Sequence, residues 1–147
     1  MAMPEGVQRG VADAPRRSEQ PVGGLNFLTP GRVHEVLGPM APAFALSAAT
    51  SREGRILWIG EQRMVRALRR SVISAFVDPE RLTLVQTHDR AETLWAAEEA
   101  LRCRAVSVVV TQITLGPDLF ESRRLQIAAH QGGGLGLVLI NRRGLHP

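Results

Sequence analysis

The chain has 147 residues, enough for one domain, and 44% of them are apolar, enough to bury a core. Its formal net charge is +4 and all 18 basic residues are arginine, which excludes a Schiff-base lysine, a lysine general base and a phosphate-loop lysine. A lone cysteine excludes an internal disulfide, four scattered histidines lack metal-ligand spacing, and no apolar run approaches the roughly 20 residues of a membrane span.

In chain order, residues 1–24 are polar and punctuated by Pro4, Pro15, Pro21 and several glycines. Such a stretch cannot bury enough apolar surface to hold a fold, so it is expected to be a flexible N-terminal arm, with an α/β core over residues 25–147. The core is expected to be either truncated at its C-terminal end or that of a short paralogue. The first residues lack the apolar core of a signal peptide, and one unpaired cysteine suits a reducing setting, so a cytoplasmic location is expected.

Val33–Leu37 reads as a first strand and Ala43–Ala49 as a first helix, with Gly38-Pro39 turning between them. Arg55–Ile59 reads as a second strand ending at Gly60. Glu61–Phe76 carries Val65, Leu68, Val72 and Phe76 at helical spacing, and Pro79 prevents its continuation. Leu82–Gln86 is a third strand. Asp89, with Glu92 three residues on, starts a helix whose inner face is Ala91, Leu94, Ala97 and Leu101. Glu98 and Arg102 form an i, i+4 pair, and Cys103 at the helix end reads as a packed thiol.

Ala105–Thr111 is β-branched without a polar face, as suits a central parallel strand covered on both sides. Asp118 with Glu121 starts a last helix through Gln131, which Gly132-Gly133-Gly134 ends. Leu135–Asn141 is a fifth strand. Strands alternating with helices imply a three-layer parallel α/β sheet, and ligands in such sheets bind at the carboxyl ends of the strands. The positions to examine are Gly38–Phe44, Gly60-Glu61, Thr111-Gln112 and Asn141-Arg142.

Strand, glycine turn and helix can cradle a phosphate, because amides and the helix dipole converge there. The phosphate-loop pattern, however, needs Gly-Lys-Ser/Thr where this chain has Ala43, Phe44 and Ala45. The turn then either binds an anion through backbone amides alone, or is inherited, with Phe44 filling the vacated space. Arg63, Arg66 and Arg70 fall at i, i+3 and i+7 with Arg69 beside them, and Arg123-Arg124 lies on the last helix. These are either solvated faces or contacts for nucleic-acid phosphates, giving weak, sequence-independent DNA binding, or for a protein partner. Most of the aromatic residues fall on apolar stripes and read as core, with Trp95 partly exposed.

The order of these motifs resembles the RecA fold: Gly23-Gly24-Leu25 and Gly31–Pro39 as lead-in and first strand, Asp89–Val110, and Leu139-Ile140-Asn141. It is more similar to the ImuA family, the RecA-like and SulA-like proteins of bacterial mutagenesis cassettes. Arg32-Val33-His34-Glu35-Val36, Leu94–Leu101 and Ser122–Ala129 carry that likeness.

The resemblance implies a degenerate P-loop NTPase core. Gly38, Pro39, Ala43, Phe44 and Ala45 form a vestigial loop, with Phe44 in the lysine's place and Ala45 in the Mg²⁺-binding hydroxyl's. It puts Gln112 near the second motif's acid, Arg142 in place of a γ-phosphate-reading glutamine, and Glu61 where a water-activating glutamate sits. No catalytic residue, cofactor or metal and no ATPase activity are then expected.

The resemblance further implies an accessory role in SOS, DNA damage-induced mutagenesis and translesion synthesis. The partners would be a RecA-like recombinase or cassette components, a Y-family-like protein and a C-family polymerase, with no membrane. The alternative it offers is a SulA-like division inhibitor that binds FtsZ.

Overall fold

The computed structural model describes residues 28–141. The arm expected over residues 1–24, the Gly23-Gly24-Leu25 lead-in and Arg142 lie outside them. The elements are β1 Val33–Leu37, α1 Ala41–Thr50, β2 Arg55–Glu61, α2 Gln62–Arg66, α3 Arg70–Phe76, a 3-10 turn Pro79–Arg81, β3 Leu82–Thr87, α4 Arg90–Arg102, β4 Val106–Ile113, α5 Leu119–Gly132 and β5 Leu135–Ile140. All strands pair in parallel, in the order β1-β5-β4-β2-β3. This is the α/β sheet with flanking helices that the alternating pattern implies, and the β-branched run of β4 is indeed interior.

Two cores follow from the two-residue period of the strands. On one face Ile56, Trp58, Val108, Val110, Leu135 and Leu137 pack with α1, Val65 of α2 and Ile73 of α3. On the other, Ile59, Val109, Val138 and Ile140 pack with Ala97 and Leu101 of α4 and Leu125, Ala128 and Ala129 of α5. The chain therefore steps along the sheet with helices on one face, then reverses with helices on the other. The β1 edge is met by α5: the Gln126 side-chain oxygen accepts from Val33 N–H at 3.0 Å, and its NH₂ donates to Val33 O at 2.7 Å.

The helix starts follow their sequence signals. Asp118 accepts from Glu121 N–H at 2.8 Å and Glu121 accepts from Asp118 N–H at 2.9 Å, a complete capping box. Gly133 ends α5 in the left-handed region at φ 80°. Asp89 caps α4 through Glu92 N–H, while the Glu92 carboxylate reaches back to His88 N–H instead of the cap residue.

Four expectations are corrected. The single helix over Glu61–Phe76 is two short helices: Glu61 ends β2, and the chain turns at Ala67-Leu68-Arg69, with Arg69 extended. The buried positions are Met64, Val65, Ile73 and Val77, whereas Val72 and Phe76 are exposed. The inner face of α4 is rotated: Ala91 is exposed, while Thr93 and Glu98 are buried. Thr93 is tolerated there because its hydroxyl donates to Asp89 O and pairs with Thr87. Cys103 is exposed, because α4 has ended and its last residue no longer faces the sheet. Phe120 does not share the core position expected of most of the aromatic residues: it is 81% exposed in the first turn of α5. Trp95, expected to be partly exposed, is 61% exposed.

Arg90 ties α4 to the loop before α5. Its guanidinium donates to both Glu121 carboxylate oxygens at 2.6 and 2.9 Å and to Gly116 O at 3.0 Å. The Arg90 hydrogen bonds hold the Glu121 carboxyl below its ordinary 4.5, with the backbone bond from Asp118 adding to the effect. A depressed folded-state value means stability that is full above the unfolded value and lost as pH falls through it. Arg90→Ala is expected to cost about 1–2 kcal/mol at neutral pH for this partly exposed pair. It should also flatten the fall in the urea midpoint below about pH 4.5. An unchanged pH slope in the variant would contradict this.

Candidate functional site

At the carboxyl edge of the sheet a cleft of about 350 Å³ opens between α1 and the α2–α3 segment. Helix α1 supplies Pro42, Ala43 and Leu46. The α2–α3 segment supplies Met64, Ala67, Leu68, Val72 and Ile73, with Arg63 and Arg69 among them. The strands contribute Gln112 of β4 and Asn141, just past β5. This is the crevice beyond the strand ends that open α/β sheets use for ligands.

Gln112 is there by register. Trp58 of β2 stands opposite Val110 of β4, so Gln112, two residues on, shares the face of Trp58. Trp58 is fully buried, and its indole N–H donates to the Gln112 side-chain oxygen at 2.8 Å. The acceptor of Gln112 is thus engaged, and its NH₂ is the group left for a ligand. Asn141 is fixed by its own amide, which donates to Ile113 O at 2.8 Å.

Of the loop and arginine candidates the structure brings together Ala43, Arg63, Arg69 and Gln112, and the strand-end position Asn141 lies with them. The others lie elsewhere. Gly38, at φ 106°, and Pro39 form the turn after β1. Phe44 packs against the core and Ala45 is fully buried. Glu61 closes β2 as the residue before α2. Arg66 and Arg70 are exposed, but the break between α2 and α3 means that Arg63, Arg66 and Arg70 do not form one helical ridge. Arg123 and Arg124 lie on α5, whose core is on the opposite face of the sheet. Arg124 is 3.0 Å from Glu98, a carboxylate that Arg102 also holds, at 2.5 Å.

Helix α1 begins at Ala41, earlier than the expected Ala43, with Pro42 in its first turn and Pro39 just ahead of the cap residue Met40. In its first turn Ala41 N–H donates to Gly38 O at 3.2 Å, Pro42 has no N–H, and Phe44 N–H donates to Met40 O at 3.0 Å. Few amides of this turn remain to face an anion. Sequence reasoning missed Trp58 as the partner of Gln112; the signal was an indole inside an apolar strand, which needs an acceptor when buried. It also missed Met64 and Ile73.

No helix among the described residues is long and apolar enough to cross a membrane. No family model matches the chain. Protein ImuA of Caulobacter vibrioides, from two strains, is 31% identical over 126 residues, covering 83% of this chain and 50% of that protein. The chain thus spans about half the length of the curated relatives it matches. Among solved structures, SulA from Pseudomonas aeruginosa superposes with a TM-score of 0.60 at 22% identity, covering 74% of this chain and 96% of that one. At that identity the likeness concerns the fold.

Proposed function

The chain belongs to the ImuA family over the half of those proteins that it spans, and from that membership we propose an accessory role in DNA damage-induced mutagenesis and translesion synthesis. It acts by protein–protein contact, without catalysis, on a degenerate RecA-like core. Its partners are a RecA-like recombinase or components of an error-prone polymerase cassette, a Y-family-like protein and a C-family polymerase. The observation that carries the non-catalytic reading is the start of α1. A proline lacks one amide, Phe44 is packed on the core, and a buried alanine stands where a metal-binding hydroxyl is needed. Phosphoryl transfer depends on positioned cations around the phosphates, and these residues cannot supply them.

Purified protein is expected to release no phosphate from Mg-ATP above the buffer rate, with Glu61→Ala indistinguishable from wild type. Turnover that Glu61→Ala abolishes would overturn the reading. Affinity capture from DNA-damaged cells tests the partner class: recombinase or polymerase components are expected. The SulA likeness, which spans nearly all of that chain, favours a second reading, an inhibitor of cell division that binds FtsZ. Enrichment of FtsZ without the others would select it.

A further inference from the structure

We infer that the cleft between α1 and the α2–α3 segment is a docking site for an acidic peptide segment with an apolar anchor side chain, presented by a partner protein. This rests on the protein-contact reading above and names the surface that would serve it.

The cleft's lining is mostly apolar, from Leu46 and Met64 to Val72 and Ile73. Its size, about 350 Å³, is at the low end of ligand pockets and fits one or two side chains. Its polar groups are chiefly donors. Arg63 and Arg69 are exposed, and the ion pairs among the described residues involve Arg90, Arg102 and Arg124, not these two. The Gln112 oxygen is occupied by Trp58, which leaves its NH₂. Two unpaired guanidinium groups and an amide donor beside an apolar hollow complement carboxylates flanking an apolar side chain. The arginine fork suits carboxylate oxygens in particular.

Other occupants fit less well. No aromatic side chain lines the cleft, so bases have nothing to stack on. A second copy would bring like charge to like: the exposed apolar pair Leu119 and Phe120 is followed on its helix by Arg123 and Arg124, and the chain carries +4 overall.

The test uses the full chain with Trp95→Phe, which leaves Trp58 as the remaining tryptophan of two. The probe is a short synthetic peptide in which Leu alternates with Asp and Glu. A saturable change in Trp58 emission is expected, weakening as salt rises. Reversing Arg63→Glu and Arg69→Glu together should raise the apparent Kd about tenfold or more. Ala67→Leu, which fills the hollow from an exposed position without adding a fluorophore, should abolish the response, and Arg123→Glu should leave it unchanged.

Absence of a response, equal response to a Leu-Lys peptide, or a response indifferent to the arginine reversal would overturn the inference. So would an oligo-dT that binds more tightly than the peptide with the same arginine dependence, since the site would then read polyanions. Capture from damaged cells separates the two readings. Partners recovered equally by wild type and the double arginine variant overturn the cleft alone. Partners recovered by neither, with peptide binding intact, overturn the cellular reading alone.

Discussion

Trp58→Ala is expected to lower the unfolding free energy by about 3–5 kcal/mol, the range for emptying a buried aromatic position. Trp58 is fully buried in β2, with strands on both sides and the α1 layer against its ring. Ala45, Ala48 and Ala49 of α1 are themselves fully buried, so the helix already lies close to the sheet and has little room to collapse into the void. A domain of ordinary stability, about 5–15 kcal/mol, would lose roughly a fifth or more of it. Trp58→Phe separates the two parts of the effect. It keeps most of the ring and removes the N–H given to Gln112, and should cost about 1–2 kcal/mol, since Gln112 is only partly buried and can turn to water. Urea unfolding followed by far-UV circular dichroism reads both. An alanine variant as stable as the phenylalanine variant would contradict the packing argument.

Gly132→Ala is expected to cost about 3 kcal/mol or more, at the upper end of overpacking effects. A Cβ at Gly132 would overlap the Leu101 carbonyl oxygen and lie 2.8 Å from its carbon and 3.0 Å from the Arg102 carbonyl carbon. These are backbone atoms at the end of α4 and cannot rotate aside, so the ends of α4 and α5 would have to separate. That movement propagates directly into β5, which starts three residues later at Leu135. Gly133 next door is the internal control. A Cβ there meets open space, but the residue sits at φ 80°, so Gly133→Ala should cost about 1–2 kcal/mol through backbone strain alone. Parallel thermal or urea unfolding of the two variants distinguishes close approach from conformation. Equal losses would contradict the distinction.

The elements legible in the sequence were those with local signals. Asp118 and Glu121 announce α5, and the run Val106 to Val110 announces an interior strand, because a cap or a period needs no knowledge of distant chain. The stretch after β2 misled for a physical reason: it carries two apolar stripes. Val65, Leu68, Val72 and Phe76 fit one helix, yet the residues buried in the core are Met64, Val65, Ile73 and Val77, with Leu68 only half-buried against it. Hydrophobic period alone does not say which stripe faces the sheet. The α2 residues pack below the strands while α3 also packs on α1, and the chain breaks to serve both. Leu68 and Val72, taken for core, became lining of the cleft, which exists because of that break. The arginines were visible as surface charge, but their sorting into cleft and non-cleft positions depends on the turn at Ala67-Leu68-Arg69. The pairing of Trp58 with Gln112 depends on the register of β2 against β4 and has no local signature.

The Gln126 amide on Val33 bears on how this sheet meets other chains. A parallel edge strand presents outward N–H and C=O groups that a neighbouring chain can adopt as a template. At the start of β1 the first such pair is occupied by a side chain that imitates the missing strand. The opposite edge, β3, shows exposed Thr83, Leu84 and Gln86. The two margins of the sheet are therefore unequal, one with its starting position occupied and one more accessible. Stacking many sheets edge to edge requires two receptive margins on every unit. A unit with the starting pair of one margin already taken joins less readily there, so the inequality works against runaway growth of sheet upon sheet.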